Sequence, residues 1–158
     1  MGRYRQGLPK EALEFLDYGD VAFKGTTVLT YTTALKKFYA FLTSKYPNEE
    51  NLLSQVDRPL MEVWFKELYD VGLKPASRVL ALMNIRCYFG WAYERGYIKE
   101  EPRSLIRTSD FPKRPEYLPK PLEPDHDKKL QDHLRKSKNL TEKGLLLLRH
   151  TGMRVGEL

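Results

Sequence analysis

From residue 9 to about residue 100 the apolar positions recur at three- and four-residue intervals, and no stretch alternates with period two between hairpin turns. That pattern predicts an all-α fold with four main helices. The first opens at Pro9, a residue favoured in a first helical turn, and carries Ala12, Leu13 and Leu16 before Gly19 closes it. The second begins near Thr26 or Thr27 and sets Val28, Tyr31, Ala34, Leu35, Phe38, Phe41 and Leu42 on one face, with Thr32, Thr33, Lys36, Lys37, Thr43 and Ser44 on the other. The third follows Asp57, a good cap, with Pro59 in its first turn and Leu60, Trp64 and Leu68 as its core stripe, ending at Gly72.

The fourth helix, PASRVLALMNIRCYFGWAY, runs from Pro75 to about Glu94 and is apolar nearly all the way round. A helix tolerates that only when its neighbours cover most of it, so it is expected at the centre of a small four- to five-helix bundle. Gly96 ends it, and Ile98, Leu105 and Ile106 are placed to close the bundle's base. Six of the ten prolines then fall between Pro102 and Pro124, which predicts an extended, basic linker over residues 102–121. Residues 1–101 are thus one helical domain. Residues 122–158 begin a second, with a helix from Pro124 through Leu130 and Leu134 and another capped by Thr141, carrying four leucines and stopped by Gly152.

Composition narrows the function. The 27 Lys and Arg exceed the 21 Asp and Glu, giving +6, which suits a polyanionic partner without requiring one. Cys87 is the only cysteine, so an internal disulfide and a thiolate metal cluster are both excluded, and a reducing cytoplasm fits best. No apolar run is long enough to span a bilayer, the N-terminus has no secretory core, and Gln6 breaks a myristoylation signal.

The charges are also segregated. No Asp or Glu occurs from Val21 through Asn48 or from Val71 through Tyr93, although an even spread of the 21 acids would put about seven there. Phosphates repel carboxylates at short range, so a surface lying on a duplex loses its acids and keeps Lys, Arg, Ser, Thr and Asn. On the fourth helix Lys74, Ser77, Ala81, Asn84 and Tyr88 share one narrow arc, small and polar enough to approach a groove, while Arg78 and Arg86 lie off it. The candidate DNA-binding residues are Thr33, Lys36, Lys37, Lys74, Ser77, Arg78 and Asn84 on the helices, with Arg107, Lys113 and Arg114 in the linker. Arg86, flanked by apolar residues, reads as structural. Burial is the competing explanation for the missing acids of the fourth helix; mere solvation explains the second less well, because that helix is rich in Thr and Lys with no compensating Glu.

The last residues, HTGMRVGEL, hold Thr151, Gly152, Arg154, Glu157 and Leu158 in the spacing T-G-x-R-x-x-E-L. A planar, permanently charged guanidinium suits a site where phosphate oxygens gain charge in a transition state, and Gly152 allows the sharp corner from which Arg154 would emerge.

This box, preceded by LLLLRH, resembles the first catalytic-arginine motif of the tyrosine recombinase, or phage integrase, family. TTVLTYTTALKKFYAFL resembles the helix that opens that family's core-binding domain. KPASRVLALMNIRCYFGWAYERGYIKEEP resembles its last long helix and exit, and YLPKPLEPDHDKKL the start of the catalytic domain. Glu101-Pro102 departs from the usual Asn-Pro, and Glu123 stands where Thr or Ser usually caps a helix.

The resemblance implies a SAM-like core-binding bundle and a catalytic domain that together clamp double-stranded DNA. It also implies cleavage through a 3'-phosphotyrosyl link without metal or other cofactor, and strand exchange in a tetramer. It makes Arg154 catalytic. All ten tyrosines, Tyr4 to Tyr117, precede the box, so the nucleophile is not among them, and His126, His133 and His150 form no metal pattern. The chain therefore reads as a truncated member, inactive by itself and monomeric, cut just after its first active-site residue. A stand-alone DNA-binding regulator and a helical protein-interaction module are the rival classes.

Overall fold

A computed structural model describes residues 5–113 and 121–153. Backbone proximity divides the chain into two compact units, Met1–Pro115 and Glu116–Leu158. The elements of the first are α1 (Lys10–Ala22), α2 (Gly25–Lys45), a 3-10 turn (Leu52–Gln55), α3 (Arg58–Asp70), α4 (Pro75–Glu94), the single turn α5 (Pro102–Leu105) and a second 3-10 turn (Thr108–Asp110). The second holds α6 (Pro124–Lys136) and α7 (Leu140–Thr151). The described residues contain no strand, and the fold is an all-α helical bundle. None of the described helices is long and apolar enough to cross a membrane.

The local reasons for these elements are mostly those read from the sequence. Asp57 caps α3 by accepting the Leu60 N–H at 2.8 Å, with Pro59 in the first turn. Gly96, in the left-handed region at φ 74°, turns the chain out of α4 at little cost because it has no Cβ. The stripes of α2 and α3 are buried as expected except for Tyr31, which is half-buried, and Tyr39 and Met61 join the core beside them. On α4 nine residues are buried, spread around the helix, which lies at the bundle's centre.

Aromatic rings fill the middle. Phe38 meets Trp64 edge-on at 5.0 Å, and Phe15 meets Tyr88 at 5.2 Å. Such pairs contribute about 0.5–1.5 kcal/mol each beyond the area they bury. Through this core runs one hydrogen-bonded chain. The Tyr39 hydroxyl donates to Glu11 Oε1 at 3.0 Å and lies 2.7 Å from the Tyr88 hydroxyl, tying α1, α2 and α4 together. Burial pushes both phenols well above the ordinary tyrosine range.

Several expectations need correction. α1 runs through Gly19 to Ala22; the glycine is buried where a Cβ would meet the Phe23 ring at 3.3 Å, so it serves close packing rather than helix termination. Thr32 is not on the outer face but 5% exposed, its hydroxyl satisfied by the Val28 carbonyl at 2.8 Å. The N-cap of α7 is Asn139, two residues ahead of the threonine; its side chain accepts the Thr141 N–H at 2.9 Å.

Residues 102–110 do not run extended either. Pro102 occupies the first turn of α5, a place where its missing N–H costs nothing. Leu105 and Ile106 are fully buried and close the bundle's base. Arg58 fastens the segment with a forked pair to Asp110 at 2.5 and 2.8 Å and a bond to the Leu105 carbonyl at 3.0 Å. Its Nε also holds Glu62 at 2.8 Å. That pairing keeps the Asp110 carboxyl below its usual range.

In the second unit α6 and α7 pack as a hairpin around Leu134, the one buried residue on α6. Arg149 pairs with Asp127 at 2.5 Å, and His133 Nε2 lies 3.2 Å from Glu142. Gly152 closes α7 at φ 70°, its N–H bonded to the Leu148 carbonyl. No group of three His, Cys, Asp or Glu placed to hold a metal ion occurs among the described residues.

Candidate nucleic-acid interface

α2 and α4 pack side by side, and a groove of about 320 Å³ lies between their outer edges. Thr33 and Lys37 from α2, with Ser77 and Asn84 from α4, line it together with Leu29, Thr30 and Leu80. Four residues singled out from charge segregation thus come together, and no carboxylate borders the groove. α2 contains no acid, and the only one on α4 is Glu94, its last residue.

The side chains differ in availability. Thr33 is exposed, its hydroxyl bonded back to the Leu29 carbonyl at 3.0 Å. Lys37 and Ser77 are exposed. Lys36 is exposed but does not line the groove, since neighbouring helical residues are turned about 100° apart. Lys74 is the exposed N-cap residue of α4. Arg78 stacks on Tyr69, its guanidinium 5.1 Å from the ring centroid, with Nε buried and without a partner. It braces α4 against α3.

The arc expected on α4 is not a surface stripe. Asn84 is 9% exposed and donates from Nδ2 to the Thr30 carbonyl at 3.3 Å, which makes it the floor of the groove. Ala81 is buried, and Tyr88 is fully inside, bonded to Tyr39. The exposed side of α4 carries Leu80, Met83 and Cys87 instead. The Tyr31 hydroxyl donates to the Cys87 sulfur at 3.2 Å; burial and then that bond push the phenol above its ordinary range.

Of the linker residues, Arg107 is exposed at the start of the second 3-10 turn, and Lys113 is exposed beyond it. Arg114, Arg154, Glu157 and Leu158 lie outside the described residues. Two arginines passed over as site candidates, Arg86 and Arg103, border a concavity together with Arg107. Arg103 belongs to the basic run after Pro102, but the reading of that run as extended hid its proximity to α4 and so to Arg86.

The fold and this face describe a class of protein: an all-α bundle offering two acid-poor helices side by side. Its relatives are more particular. The chain is 33% identical over 98 residues to the tyrosine recombinase XerC of Chlorobaculum tepidum, covering 58% of this chain and 29% of that protein. It is 25% identical over 124 residues to transposase B from transposon PsiTn554 of Staphylococcus aureus, and equally to transposase B from transposon Tn554 of Staphylococcus aureus strain Mu50, covering 78% of this chain and 20% of each. The chain spans less than a third of the length of these curated relatives. No family model matches the chain, and no solved structure matches it. These matches agree with the resemblance recognised from the sequence: over 98 residues the chain is similar to a tyrosine recombinase.

Proposed function

We propose that the chain is the DNA-binding part of a tyrosine recombinase that carries out site-specific recombination. The α2–α4 groove lies along duplex DNA, with Lys37 and Lys36 against phosphates and Ser77 and Thr33 near the backbone or base edges. Arg107, Lys113 and Arg114 follow the same duplex. Arg154 is the first arginine at the scissile phosphate, where its fork stabilises charge developing on two oxygens. The nucleophilic tyrosine is not among the ten here, so a full-length protein would supply it, forming a 3'-phosphotyrosyl link within a tetramer on DNA.

One observation carries this reading: a groove free of carboxylates gathers Lys37, Thr33, Ser77 and Asn84, on a chain similar to a tyrosine recombinase. Burial accounts for the missing acids on α4, so the charge argument rests on the exposed face of α2, where Lys36 and Lys37 stand without a compensating carboxylate on the helix.

The test is duplex binding by fluorescence anisotropy across a salt series. Affinity is expected to fall steeply with salt, and the double reversal Lys36→Glu with Lys37→Glu to make the log–log slope shallower by about two. Unchanged affinity in that variant removes the assigned face. No binding in dilute buffer removes the whole reading, and cleavage of DNA by this chain alone contradicts the absence of a nucleophile.

A further inference from the structure

We infer that Arg86, Arg103 and Arg107 form a cleft that receives one backbone phosphate of the bound duplex, held in shape by the Arg58–Asp110 pair. This rests on the reading that the partner is duplex DNA, and extends it to a site on the opposite side of Asn84 from the α2–α4 groove.

The cleft, about 500 Å³, is lined by Arg86, Arg103, Ile106, Arg107 and Thr108. Three arginines and one threonine therefore border a single concavity whose wall is otherwise Ile106. Among the described residues none of the three arginines has a carboxylate within ion-pair distance. The one acid on the same turn, Asp110, is already taken by both Arg58 nitrogens and by the Arg107 N–H at 2.6 Å. The Arg58 hydrogen bonds hold the Asp110 carboxyl below the usual range, the mark of a carboxylate already paired. Glu101 borders only the neighbouring hollow, beside Arg103.

Like charges brought together without an internal partner repel, and the fold does the holding. Arg86 is fixed over the Phe111 ring at 4.9 Å. Arg103 stands on α5, whose Leu105 is fully buried, and the Arg58 fork anchors the turn that carries Arg107. An oxyanion relieves that repulsion, and planar guanidiniums match phosphate oxygens better than lysine would.

Position favours a polymer's phosphate over a free one. The α2–α4 groove and the hollow beside Cys87 share Asn84. That hollow in turn shares Arg86 and Arg103 with the cleft. The three depressions form one track along α4. From Ser77 to Arg86 it covers about 13.5 Å of helix axis, which a single small anion cannot occupy and a nucleic-acid strand can.

The experiment uses the full chain as wild type, as the double variant Arg103→Gln with Arg107→Gln, and as Asp110→Asn. Each is checked for unchanged helicity and measured on one duplex from about 50 to about 200 mM salt, the range in which phosphate contacts dominate. The double variant is expected to bind more weakly, with a log–log slope shallower by about one. Asp110→Asn deletes a negative charge beside the cleft, so charge alone demands tighter binding; a positioning role demands weaker binding and the same loss of slope.

Wild-type binding with unchanged slope in the double variant overturns the cleft and leaves the DNA reading intact. Tighter binding by Asp110→Asn overturns the positioning role. Failure of the wild type to bind at all ends both readings. Titration with inorganic phosphate, followed by NMR of the arginine side chains, separates the sources. Saturation by phosphate that duplex does not displace marks a free-anion site and overturns the proposal.

Discussion

Phenylalanine at position 39 should cost the bundle more than phenylalanine at position 88, although each change deletes one hydroxyl. The Tyr39 proton is given to Glu11 at 3.0 Å, so in the 2.7 Å contact the Tyr88 hydroxyl must be the donor. Tyr88→Phe removes the end of this chain. Tyr39 keeps its bond to Glu11, and the loss is that of one hydrogen bond, about 0.5–1.5 kcal/mol. Tyr39→Phe removes the middle. Two bonds go, and the Tyr88 hydroxyl, on a residue with no exposed surface, is left with no acceptor at a further cost of about 1–3 kcal/mol.

The totals, roughly 2–6 against roughly 0.5–1.5 kcal/mol, are far enough apart to measure by urea denaturation. The only two tryptophans, Trp64 and Trp91, are buried in the first unit, so their fluorescence reports that unit alone. The double variant should cost less than the sum of the singles, because the stranded hydroxyl disappears with Tyr88. Equal single costs, or strict additivity, would refute the donor direction assigned here.

Lys37→Glu is expected to weaken duplex binding more than Lys36→Glu, since only Lys37 borders the α2–α4 groove; anisotropy at one low salt concentration decides it. Alkali should unfold the bundle. Tyr39 and Tyr88 titrate higher in the fold than in the open chain, so stability holds below a pH of about 10 and falls as pH rises above it toward the native values, followed by tryptophan fluorescence. The Asp110 carboxyl works in the opposite sense. Its pKa is lowered by Arg58, so its contribution is present above a pH of about 4 and lost as pH falls through the native value, and Asp110→Asn should flatten the acid limb of a pH–stability profile.

The helices that showed a clear phase in the sequence were placed well. On α2 and α3 most of the residues the spacing selects are buried, but Tyr31 is only half-buried, Tyr39 and Met61 are buried outside the selected stripes, and Thr32 is buried because its hydroxyl bonds its own helix. α4 was different. Apolar nearly all round, it has no phase to read, and the arc chosen by its small polar residues proved to be the floor of a groove and the core beneath it. Asn84 is buried because its amide satisfies the Thr30 carbonyl, a partner that periodicity does not reveal. The segment after Pro102 was misread for a related reason. Proline density argues for extended chain, but what holds residues 102–110 on the bundle is Arg58, more than forty positions earlier in sequence. Arg86 and Arg103 stayed apart in the sequence-based picture because that long-range clasp is invisible in a linear pattern.

The thiol of Cys87 stands exposed on α4, in the hollow that joins the groove to the arginine cleft. Because the chain has no other cysteine, a maleimide dye or a spin label attaches at that single point without any residue being replaced first. Nature has left a mooring for a spectroscopic probe on the track where a nucleic acid would pass, and quenching or immobilisation of that probe reports occupancy in real time.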